Sequence, residues 1–458
     1  MGRSSARARS LRAAAAVTAG AAALFAFTAG APGTAVASGA TASAALPKPV
    51  PASAGHFLAS GMSSVLPTSA CLASKLHIRC YTPTQYRKAY NLAPLYKAGI
   101  TGKGRTIVIV DSFGSPTIQK DLNTFDKTFG LPNTSVQVKK WGNVPTFTGT
   151  PDQLGWAGET TLDVEYAHAI APGAKIVLIE TGVSETEGTT GFPEMMSAEK
   201  WAIDHHIGDV ISQSFGATEN TFPDYGKGAK SIQDLRYAFH DALAKKVTVL
   251  GASGDNGATD STSTTGLYPY KVNSWPSSDP MVTSVGGTQL TLDDNGNRLK
   301  ADMVWNDGYG AGGGGKSGVF ARPPFQKGVA KVTGATRGTP DISMTAAVNG
   351  AAWVYQTFDP NKANDGWGLV GGTSEATPIF SGIVAMADQK AGHDLGLINP
   401  KLYLMGETGA ARHGIVDVTT GNNSFGKVNG YTAAKGYDLA SGWGTINGPA
   451  FVDALARG

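Results

Sequence analysis

The sequence is short of charged residues, cysteine and histidine motifs, and each shortage argues against a class of function. Only 16% of its 458 residues are charged, and it has two cysteines. No HExxH sequence occurs, which argues against a catalytic zinc site. No basic cluster with interleaved aromatics occurs, which argues against nucleic-acid binding. Beyond the N-terminal region, no stretch is long and apolar enough to span a bilayer.

Residues 1–37 have the pattern of a secretory signal peptide. Four arginines precede an Ala-rich apolar stretch at 13–31, and Ala35-Val36-Ala37 is a small-x-small cleavage site. A membrane anchor is the alternative, but the segment is rich in Ala and Gly. Without the four arginines, 34 basic residues stand against 35 acidic ones, so the net charge changes from +3 to −1. We therefore expect a secreted, extracellular protein, and its basic pI gives no indication of nucleic-acid binding.

The two cysteines and the composition around them predict a short N-terminal segment. Cys71 and Cys80 lie close together in a chain expected to be exported, which predicts one disulfide bond, with two free thiols as the alternative. Residues 38 to about 70 are rich in Ala, Ser, Pro and Gly, which is typical of a linker. We expect three parts: the signal peptide at 1–37, a short segment at 38–80, and one domain at 81–458.

The rest of the chain alternates buried strands with helices. Continuous apolar strands are predicted at 107–110, 175–180, 209–214, 247–250 and 281–285, and helices at 160–169, 194–205, 231–244 and 378–391. This alternation predicts an α/β fold in which a mainly parallel sheet is covered by helices on both faces. Ligands bind such sheets at the carboxyl ends of the strands, so polar residues there are the candidates for chemistry.

Ser374 is the first such candidate. It lies in Gly372-Thr373-Ser374, after an apolar stretch and before a helical pattern. The unpaired amides at a helix N-terminus can hold developing negative charge, so the position suits a nucleophile. A plain serine N-cap is the alternative for this motif taken alone.

Three acids form a second set of candidates. Glu159 and Asp163 lie four residues apart at the predicted start of a helix, and therefore on one helical face. If they are buried together they share a proton, whereas first-turn acids favoured by the helix dipole are the alternative. Asp255 follows the strand at 247–250 in a Gly-rich turn, where an ordinary β-turn aspartate is the alternative.

From Tyr81 to the C-terminus the chain resembles the sedolisins, the serine-carboxyl peptidases, which have a subtilisin-like three-layer fold. The motifs that carry the resemblance are Tyr81-Thr82-Pro83, Gly158-Glu159, Leu162-Asp163-Val164-Glu165, Ser212-Gln213-Ser214-Phe215-Gly216, Ser253-Gly254-Asp255, Trp275-Pro276, Gly313-Gly314-Gly315, Pro340-Asp341-Ile342-Ser343, Gly372-Thr373-Ser374 and Ile398-Asn399-Pro400. Each motif alone is a weak indication of the family, but the occurrence of all of them in this order is specific.

The resemblance implies a peptidase and a role for each candidate. Ser374 would be the nucleophile, Glu159 the general base, Asp163 its hydrogen-bonded partner, and Asp255 the oxyanion-hole residue. A glutamate can act as a base in acid, where histidine is already charged. An aspartate can stabilise an oxyanion only when it is protonated. These parts predict an acidic optimum.

The resemblance also implies binding residues. Ser214, Phe215 and Gly216 would line the cleft and pair with the backbone of a protein or peptide substrate, although the family usually has Trp at Phe215. One structural Ca²⁺ would be held by oxygen ligands. The implied calcium ligands are Asp417, Asp438 and the carbonyls of Val418, Ala434 and Gly436. Asp111 lies where sedolisins usually have a supporting glutamate, and a structural strand-end acid is its alternative.

Two other functions remain possible from sequence. A neutral subtilisin-type protease would use Asp111 and Ser374, but none of the eight histidines has the His-Gly-x-His setting that it needs. An inactive exported binding protein on the same scaffold is the second, although every position of the implied site is filled. The chain also departs from sedolisins in having only about forty residues between the signal and Tyr81, too few for a folded pro-domain. We expect a monomer.

Overall fold

The computed structural model describes residues 56–264 and 266–457, so the predicted signal peptide and residues 38–55 lie outside it. The strands are β1 His56–Met62, β2 Cys80–Tyr81, β3 Thr106–Ser112, β4 Val136–Trp141, β5 Lys175–Thr181, β6 Val210–Gln213, β7 Ala217–Thr218, β8 Thr248–Ala252, β9 Ser274–Trp275, β10 Thr283–Gln289, β11 Met303–Val304, β12 Gly315–Ala321, β13 Thr336–Thr339, β14 Ile342–Thr345, β15 Ala351–Gln356, β16 Gly366–Gly371, β17 Ile415–Val416 and β18 Thr445–Ile446. The helices are α1 Thr68–Ala73, α2 Pro83–Ala89, α3 Ala93–Lys97, α4 Ile118–Phe129, α5 Pro151–Ile170, α6 Phe192–Asp204, α7 Lys230–Leu235, α8 Tyr237–Lys245, α9 Ala330–Thr333, α10 Thr373–Ala391, α11 Asn399–Glu407 and α12 Gly448–Ala456.

A mainly parallel sheet forms the centre of the molecule. Its strand order is β11-β10-β8-β6-β3-β5-β4, and β14 adds to β10. All neighbours are parallel except β10 and β11. The predicted α/β fold is confirmed. Because the strands are parallel, the carboxyl ends of β3, β5, β6 and β8 lie at the same edge of the sheet. This edge carries the candidate residues.

Alternating side chains of the central strands divide between two apolar layers. Ile107 and Ile109 of β3 join a core with residues of α4, α5, α10 and α12. Val108 and Val110 join a second core with residues of α6 and α8. Successive residues of a strand point to opposite faces, so an apolar strand without polar interruptions is buried on both sides.

Two helices of the first layer, α5 and α10, pack against each other and against the sheet. The start of α5 is set by Thr150, whose side chain accepts from the backbone N–H of Gln153 in a capping box, with Pro151 at the first helical position. A Cβ atom on Gly382 of α10 would lie 2.8 Å from Ile170, so the two helices approach closely only because this residue is glycine. None of the described helices has the length and apolar character needed to cross a membrane.

A second sheet joins the N-terminal segment to the domain. Its order is β1-β16-β15-β2, and β1 pairs antiparallel with β16. A disulfide bond between Cys71 and Cys80 links α1 to β2, which confirms the predicted pairing. The expectation that residues up to about 70 form a linker is wrong for 56–70, because main-chain pairing with β16 and the short helix α1 incorporate them into the fold.

Three other elements differ from prediction: one has another boundary, one is divided in two, and one was not predicted. Helix α5 begins at Pro151, so Glu159 and Asp163 lie in its interior and not at its start. The single helix expected at 231–244 is two helices, α7 and α8, that meet at Arg236. The edge strand β4 was not predicted, because most of its side chains are exposed and it has no apolar run.

A buried ion pair connects β14 to its surroundings. Both side chains of Arg337 and Asp341 are fully buried, and the guanidinium donates two bonds to the carboxylate, at 2.6 and 2.5 Å. The same carboxylate accepts from the Ser284 backbone N–H of β10 at 2.8 Å and from the Tyr403 hydroxyl of α11 at 2.8 Å. Asp341 therefore satisfies donors from three separate elements.

We expect Asp341→Ala to lower the free energy of unfolding by about 3–5 kcal/mol, because it leaves the arginine charge buried without a partner. Urea unfolding measures this change. The exposed pair of Lys230 and Asp234, whose side chains are 77% and 61% exposed, is the matched control. Asp234→Ala should cost less than about 1 kcal/mol, and equal losses in the two variants would contradict the role of Asp341.

Candidate active site

The first turn of α10 carries Ser374. Gly372 precedes the helix with φ of 141°, a value that side chains other than hydrogen rarely allow. Pro378 lies four residues after Ser374, and it has no N–H with which to bond the Ser374 carbonyl. The Ser214 hydroxyl lies 3.4 Å from that carbonyl instead. Gly372 thus allows the sharp turn of the chain from β16 into the helix. Pro378 leaves the Ser374 carbonyl available to Ser214, the residue that follows β6.

Ser214 connects Ser374 to the acids of α5. Its hydroxyl donates to Asp163 Oδ1 at 2.8 Å. Burial raises the pKa of Asp163 well above its usual value, and the neighbouring charges of Asp111 and Glu159 raise it further. All of these side chains are fully buried. The structure therefore brings Glu159, Asp163 and the backbone of Ser374 into one cluster, as the one-face spacing of the two acids predicts.

Asp255 meets the residue that precedes Ser374. The Thr373 backbone N–H and hydroxyl both donate to Asp255 Oδ1, at 2.7 and 2.8 Å. The Thr373 hydroxyl also accepts from the Gly254 backbone N–H at 3.1 Å. Burial raises the pKa of Asp255 to about 8, although the bonds from Thr373 act in the opposite direction. Asp255 is consequently neutral in acid and through most of the neutral range.

Two further carboxyl groups surround this cluster. Asp111, at the end of β3, accepts from the Thr160 hydroxyl at 2.9 Å, and burial raises its pKa to about 7. Glu375 follows Ser374 in the chain, and burial together with the charge of Asp255 raises its pKa well above the usual value. The site is therefore a group of buried acids, and burial favours the protonated form of Asp111, Asp163, Asp255 and Glu375.

The predicted substrate segment is placed differently from the acids. The ring of Phe215 is fully buried against Phe192, with ring centroids 6.1 Å apart, so it faces the second core and not a cleft. Only the backbone of Phe215 remains for pairing with a substrate. A Cβ atom on Gly216 would lie 3.1 Å from the Trp275 carbonyl oxygen, so the close approach of these two backbone segments favours glycine at this position.

His168, the histidine closest in sequence to Asp163, faces away from the site. Its Nε2 lies 3.3 Å from Asp126 Oδ1 of α4 and 2.9 Å from the Pro132 carbonyl. This placement is on the α4 side of α5, away from Ser214. A histidine-based mechanism with Ser374 receives no support from it.

The residues implied for calcium come together in a C-terminal loop. Asp417 Oδ2 accepts from the Gly436 backbone N–H at 2.9 Å, and Asp438 Oδ2 accepts from the Ala434 backbone N–H at 2.8 Å. The Ser441 hydroxyl reaches both Asp438 Oδ1, at 3.1 Å, and the Val418 carbonyl, at 3.5 Å. Two stretches about twenty residues apart in sequence are thus joined around two carboxylates.

Three residues of the site are not predicted from the sequence: Thr160, Thr373 and Glu375. Thr373 belongs to the Gly-Thr-Ser motif, but its partner Asp255 is 118 residues away, and no local pattern indicates that contact. Glu375 follows Ser374 directly, and an ionisable residue beside a candidate nucleophile is a signal that the sequence does contain.

Comparisons with known proteins show which chains this one is similar to. Residues 153–430 match the sequence model of the Subtilase family. The chain is 32% identical over 390 residues to kumamolisin of Bacillus sp. (strain MN-32), covering 82% of this chain and 63% of that protein. It is 29% identical to sedolisin of Pseudomonas sp. (strain 101), covering 80% and 60%. It is 31% identical to mouse tripeptidyl-peptidase 1, covering 82% and 64%. The chain thus spans less than two thirds of the length of these curated relatives.

A solved structure is also similar. Pseudomonas sedolisin, a serine-carboxyl proteinase complexed with two molecules of pseudo-iodotyrostatin, superposes with a TM-score of 0.68 at 26% sequence identity. The superposition covers 82% of this chain and 98% of that one. The likeness therefore extends over nearly all of that solved chain.

The raised pKa of Asp255 predicts how stability depends on pH. Its folded pKa is about 8 and its ordinary value is 3.8, so the folded state holds the proton longer and the free energy of unfolding falls as pH rises between these values. The contribution is on the order of 1 kcal/mol for each pH unit. Asp255→Asn cannot ionise, so this variant should gain stability relative to the wild type as pH rises.

Urea unfolding of both proteins across this range measures the difference. The exposed Asp234→Asn variant is the control and should follow the wild type at every pH. A constant difference between wild type and Asp255→Asn would show that Asp255 ionises normally in the folded protein.

Proposed function

The chain belongs to the sedolisin family of serine-carboxyl peptidases, and on that premise we propose that it hydrolyses peptide bonds in proteins through an acyl-enzyme on Ser374. Glu159 takes the proton of the Ser374 hydroxyl and returns it to the leaving amine. Asp163 shares a proton with Glu159 and keeps it oriented. The four side chains of the proposed nucleophile, base and oxyanion systems are all buried: Ser374, Glu159, Asp163 and Asp255.

The contact between Asp255 and Thr373 supports this proposal most directly. Both bonds from Thr373 go to Oδ1, so the proton of the neutral carboxyl group belongs on Oδ2. A neutral carboxylic acid donates a hydrogen bond, whereas a carboxylate would repel an oxyanion. Because Thr373 is bonded to Ser374 in the chain, this donor is held beside the position where the oxyanion develops.

The same protonation requirement supports action in acid. The acceptor in this proposal is a carboxylate, which can take up a proton in acid, where histidine is already charged. The donor is an aspartate that keeps its proton up to about pH 8. We therefore place the optimum in acid, where the donor is protonated and a carboxyl group can still act as the base.

We also propose that substrate lies along residues 214–216. In this arrangement the Ser214 hydroxyl donates to Asp163, and the Phe215 ring packs in the core. Recognition there uses main-chain groups, which bind an extended peptide without regard to its side chains. The specificity of the enzyme must then come from residues outside this segment.

An extracellular location follows as a further proposal. A disulfide bond between Cys71 and Cys80 persists in oxidising compartments and is rare in the cytosol. The N-terminal basic and apolar pattern is of the kind that directs export. We expect the exported protein to act as a monomer.

One structural Ca²⁺ is proposed for the C-terminal loop. Its residues offer two carboxylates, Asp417 and Asp438, and main-chain carbonyls, which is the all-oxygen donor set that calcium prefers. Among the described residues no group of three or more Asp, Glu, His or Cys is arranged for a metal, and a site built largely from carbonyls does not form such a group. The Ser441 hydroxyl, which reaches Asp438 and the Val418 carbonyl, shows that these two oxygens converge. The bound ion would neutralise the two carboxylates and join their segments.

Ser374→Ala should reduce peptide hydrolysis by at least about a thousandfold, because it removes the nucleophile. Casein and peptide hydrolysis, measured from about pH 2.5 to about pH 9, test this and the acidic optimum together. The matched control is Ser381→Ala, which changes a buried serine on the same helix whose hydroxyl bonds the Pro378 carbonyl. Full activity in Ser374→Ala would overturn the mechanism, and a maximum near neutral pH would indicate a histidine base.

Removal of calcium should lower the melting temperature of the wild-type protein without changing that of Asp417→Asn. A bound ion whose free concentration is one hundred times its Kd contributes about 2.7 kcal/mol to the free energy of unfolding. Differential scanning calorimetry with EGTA, and again after added CaCl₂, measures the effect. The control is Asp359→Asn, an aspartate in a different exposed loop. Identical melting temperatures with and without chelator would contradict the proposed site.

A further inference from the structure

A cavity opens beside the carboxyl ends of β3, β4 and β5, outside the proposed catalytic set. Its volume is about 430 Å³, which is within the range of sites that hold small ligands. Apolar side chains form most of its wall, including those of Phe113, Ile118, Val144, Pro145 and Phe147. The cavity therefore offers an apolar surface at the same edge of the sheet as the candidate residues.

Four polar side chains also line this cavity: Ser115, Gln119, Lys140 and Glu180. The protein itself uses the amide of Gln119, which donates to the Thr134 carbonyl at 3.0 Å and accepts from the Val136 backbone N–H at 2.9 Å. Ser115, Lys140 and Glu180 are therefore the side chains that can give a ligand polar contacts.

Ser115 is the residue that indicates a ligand. Its side chain is 3% exposed, and its hydroxyl has no hydrogen-bond partner among residues 56–264 and 266–457. Phe113, two residues earlier, has a φ of 63°, which is uncommon for a bulky side chain and typical of strained turns at binding sites. Buried hydroxyls are nearly always hydrogen-bonded, so a partnerless one that lines a cavity calls for a polar atom from outside the chain.

The carboxyl group of Glu180 lies against the same loop. A Cβ atom on Gly114 would lie 2.1 Å from Glu180 Oε1, and Gly114 has a φ of 70°, so this approach requires glycine. Glu180 is 6% exposed. Burial raises its pKa to about 7, although the charge of Lys140 acts in the opposite direction. In acid the group is therefore neutral, and it carries a proton that it can donate.

Lys140 completes the polar part of the cavity. It stands directly opposite Glu180 in the parallel register of β4 and β5, so both side chains leave the same face of the sheet. Among the described residues that line the cavity, Glu180 is the one acid. In acid the cavity thus presents an ammonium group, a hydroxyl and a neutral carboxyl group, all of which can donate. This set favours an anion over a cation.

We propose that this cavity binds a carboxylate attached to an apolar group, either a small organic acid or the C-terminal residue of a peptide. The ligand carboxylate accepts from the Lys140 ammonium, the Ser115 hydroxyl and the carboxyl proton of Glu180. Its apolar part lies against Phe113 and Phe147. Binding at this cavity does not depend on the proposed peptidase function.

Binding of the carboxylate should weaken above neutral pH. The charged and titratable groups around Glu180 are Lys140 of β4 and Asp111, its register neighbour on β3. Segments 113–119 and 142–150, which supply the rest of the wall, contain no titratable side chain. Below about pH 7 Glu180 donates to the ligand, whereas above it the ionised group repels a carboxylate. Binding near pH 7 therefore takes up a proton.

Isothermal titration calorimetry of the whole protein tests this proposal with 3-phenylpropionate, its neutral amide 3-phenylpropionamide, and the cation 3-phenylpropylamine. At about pH 6 we expect the acid to bind at least about tenfold more tightly than the amide, because its hydrogen bonds are charge-assisted. The affinity for the acid should fall about tenfold between about pH 6 and about pH 8, as the protonated fraction of Glu180 falls. Titrations near pH 7 in buffers of different ionisation enthalpy measure the proton uptake.

The two lysines of β4 provide a matched pair of variants. Lys140→Met should lower the affinity for 3-phenylpropionate to that for the amide. Lys139→Met should bind as the wild type does, because successive side chains of a strand leave opposite faces. Glu180→Gln keeps a donor but cannot ionise, so its affinity for the acid should stay constant between about pH 6 and about pH 8. Lys140 is exposed, so its variant is expected to fold even where Glu180→Gln does not.

Several results would overturn the proposal. They are no binding of the acid, equal affinities for acid and amide, and tightest binding of the amine with an affinity that rises with pH. Equal losses in Lys140→Met and Lys139→Met would also overturn it. Because each of these is a binding measurement, an inactive peptidase leaves the test intact.

A second set of ligands separates the two sources of the carboxylate. N-acetylated peptides that end in phenylalanine, as the free acid or as the amide, are titrated into Ser374→Ala so that they are not hydrolysed. Tighter binding of the peptide acid than of the peptide amide would assign the cavity to peptide C-termini. Binding of 3-phenylpropionate without binding of either peptide would assign it to small organic acids.

Discussion

Burial of several carboxyl groups at one edge of the sheet is the constraint on which the candidate site depends. Helix α5 carries Glu159, Asp163 and Glu165 in a stretch where every residue from Trp156 onward is buried. Charged carboxylates are strongly destabilised there, so protons are retained and shared instead. The packing of α5 against both the sheet and α10 therefore does more than stabilise the fold. It favours the protonated carboxyl groups on which the proposed acid–base chemistry depends.

Backbone geometry places Ser374, the proposed nucleophile, within that environment. Strand β16 pairs with β1 and β15 and leads directly into Gly372, where the unusual φ turns the chain into α10. Pro378 then leaves the Ser374 carbonyl outside the normal helical bonding, close to the Ser214 hydroxyl. Because Ser214 also bonds Asp163, one hydroxyl connects strand β6, helix α5 and the start of α10. Positions far apart in sequence become one site through a few main-chain features.

Much of the fold follows from local sequence, whereas much of the site does not. The apolar strands β3, β5, β6, β8 and β10 are recognisable because each is buried on both faces. The edge strand β4 and the sheet containing β1 are not, since their pairing depends on partners remote in sequence. The one-face spacing of Glu159 and Asp163 predicts their proximity, but their burial depends on α10. Likewise, the link from Thr373 to Asp255 arises only where segments that are distant in sequence meet.

The buried acids differ in what their hydroxyl neighbours supply, and this difference separates three kinds of carboxyl group. Asp255 and Asp163 each receive bonds from threonine or serine that position one oxygen and leave the group able to carry a proton on the other. Asp341 forms a buried ion pair with Arg337. Glu185 has no hydrogen-bond partner among the described residues, and burial raises its pKa well above the usual value. Since folding energy rewards the neutral form of such groups, the conditions that stabilise this protein are also those in which Asp255 can donate. The proposed acid chemistry and this dependence of stability on pH then have the same physical origin, which is the burial of carboxyl groups at one edge of the sheet.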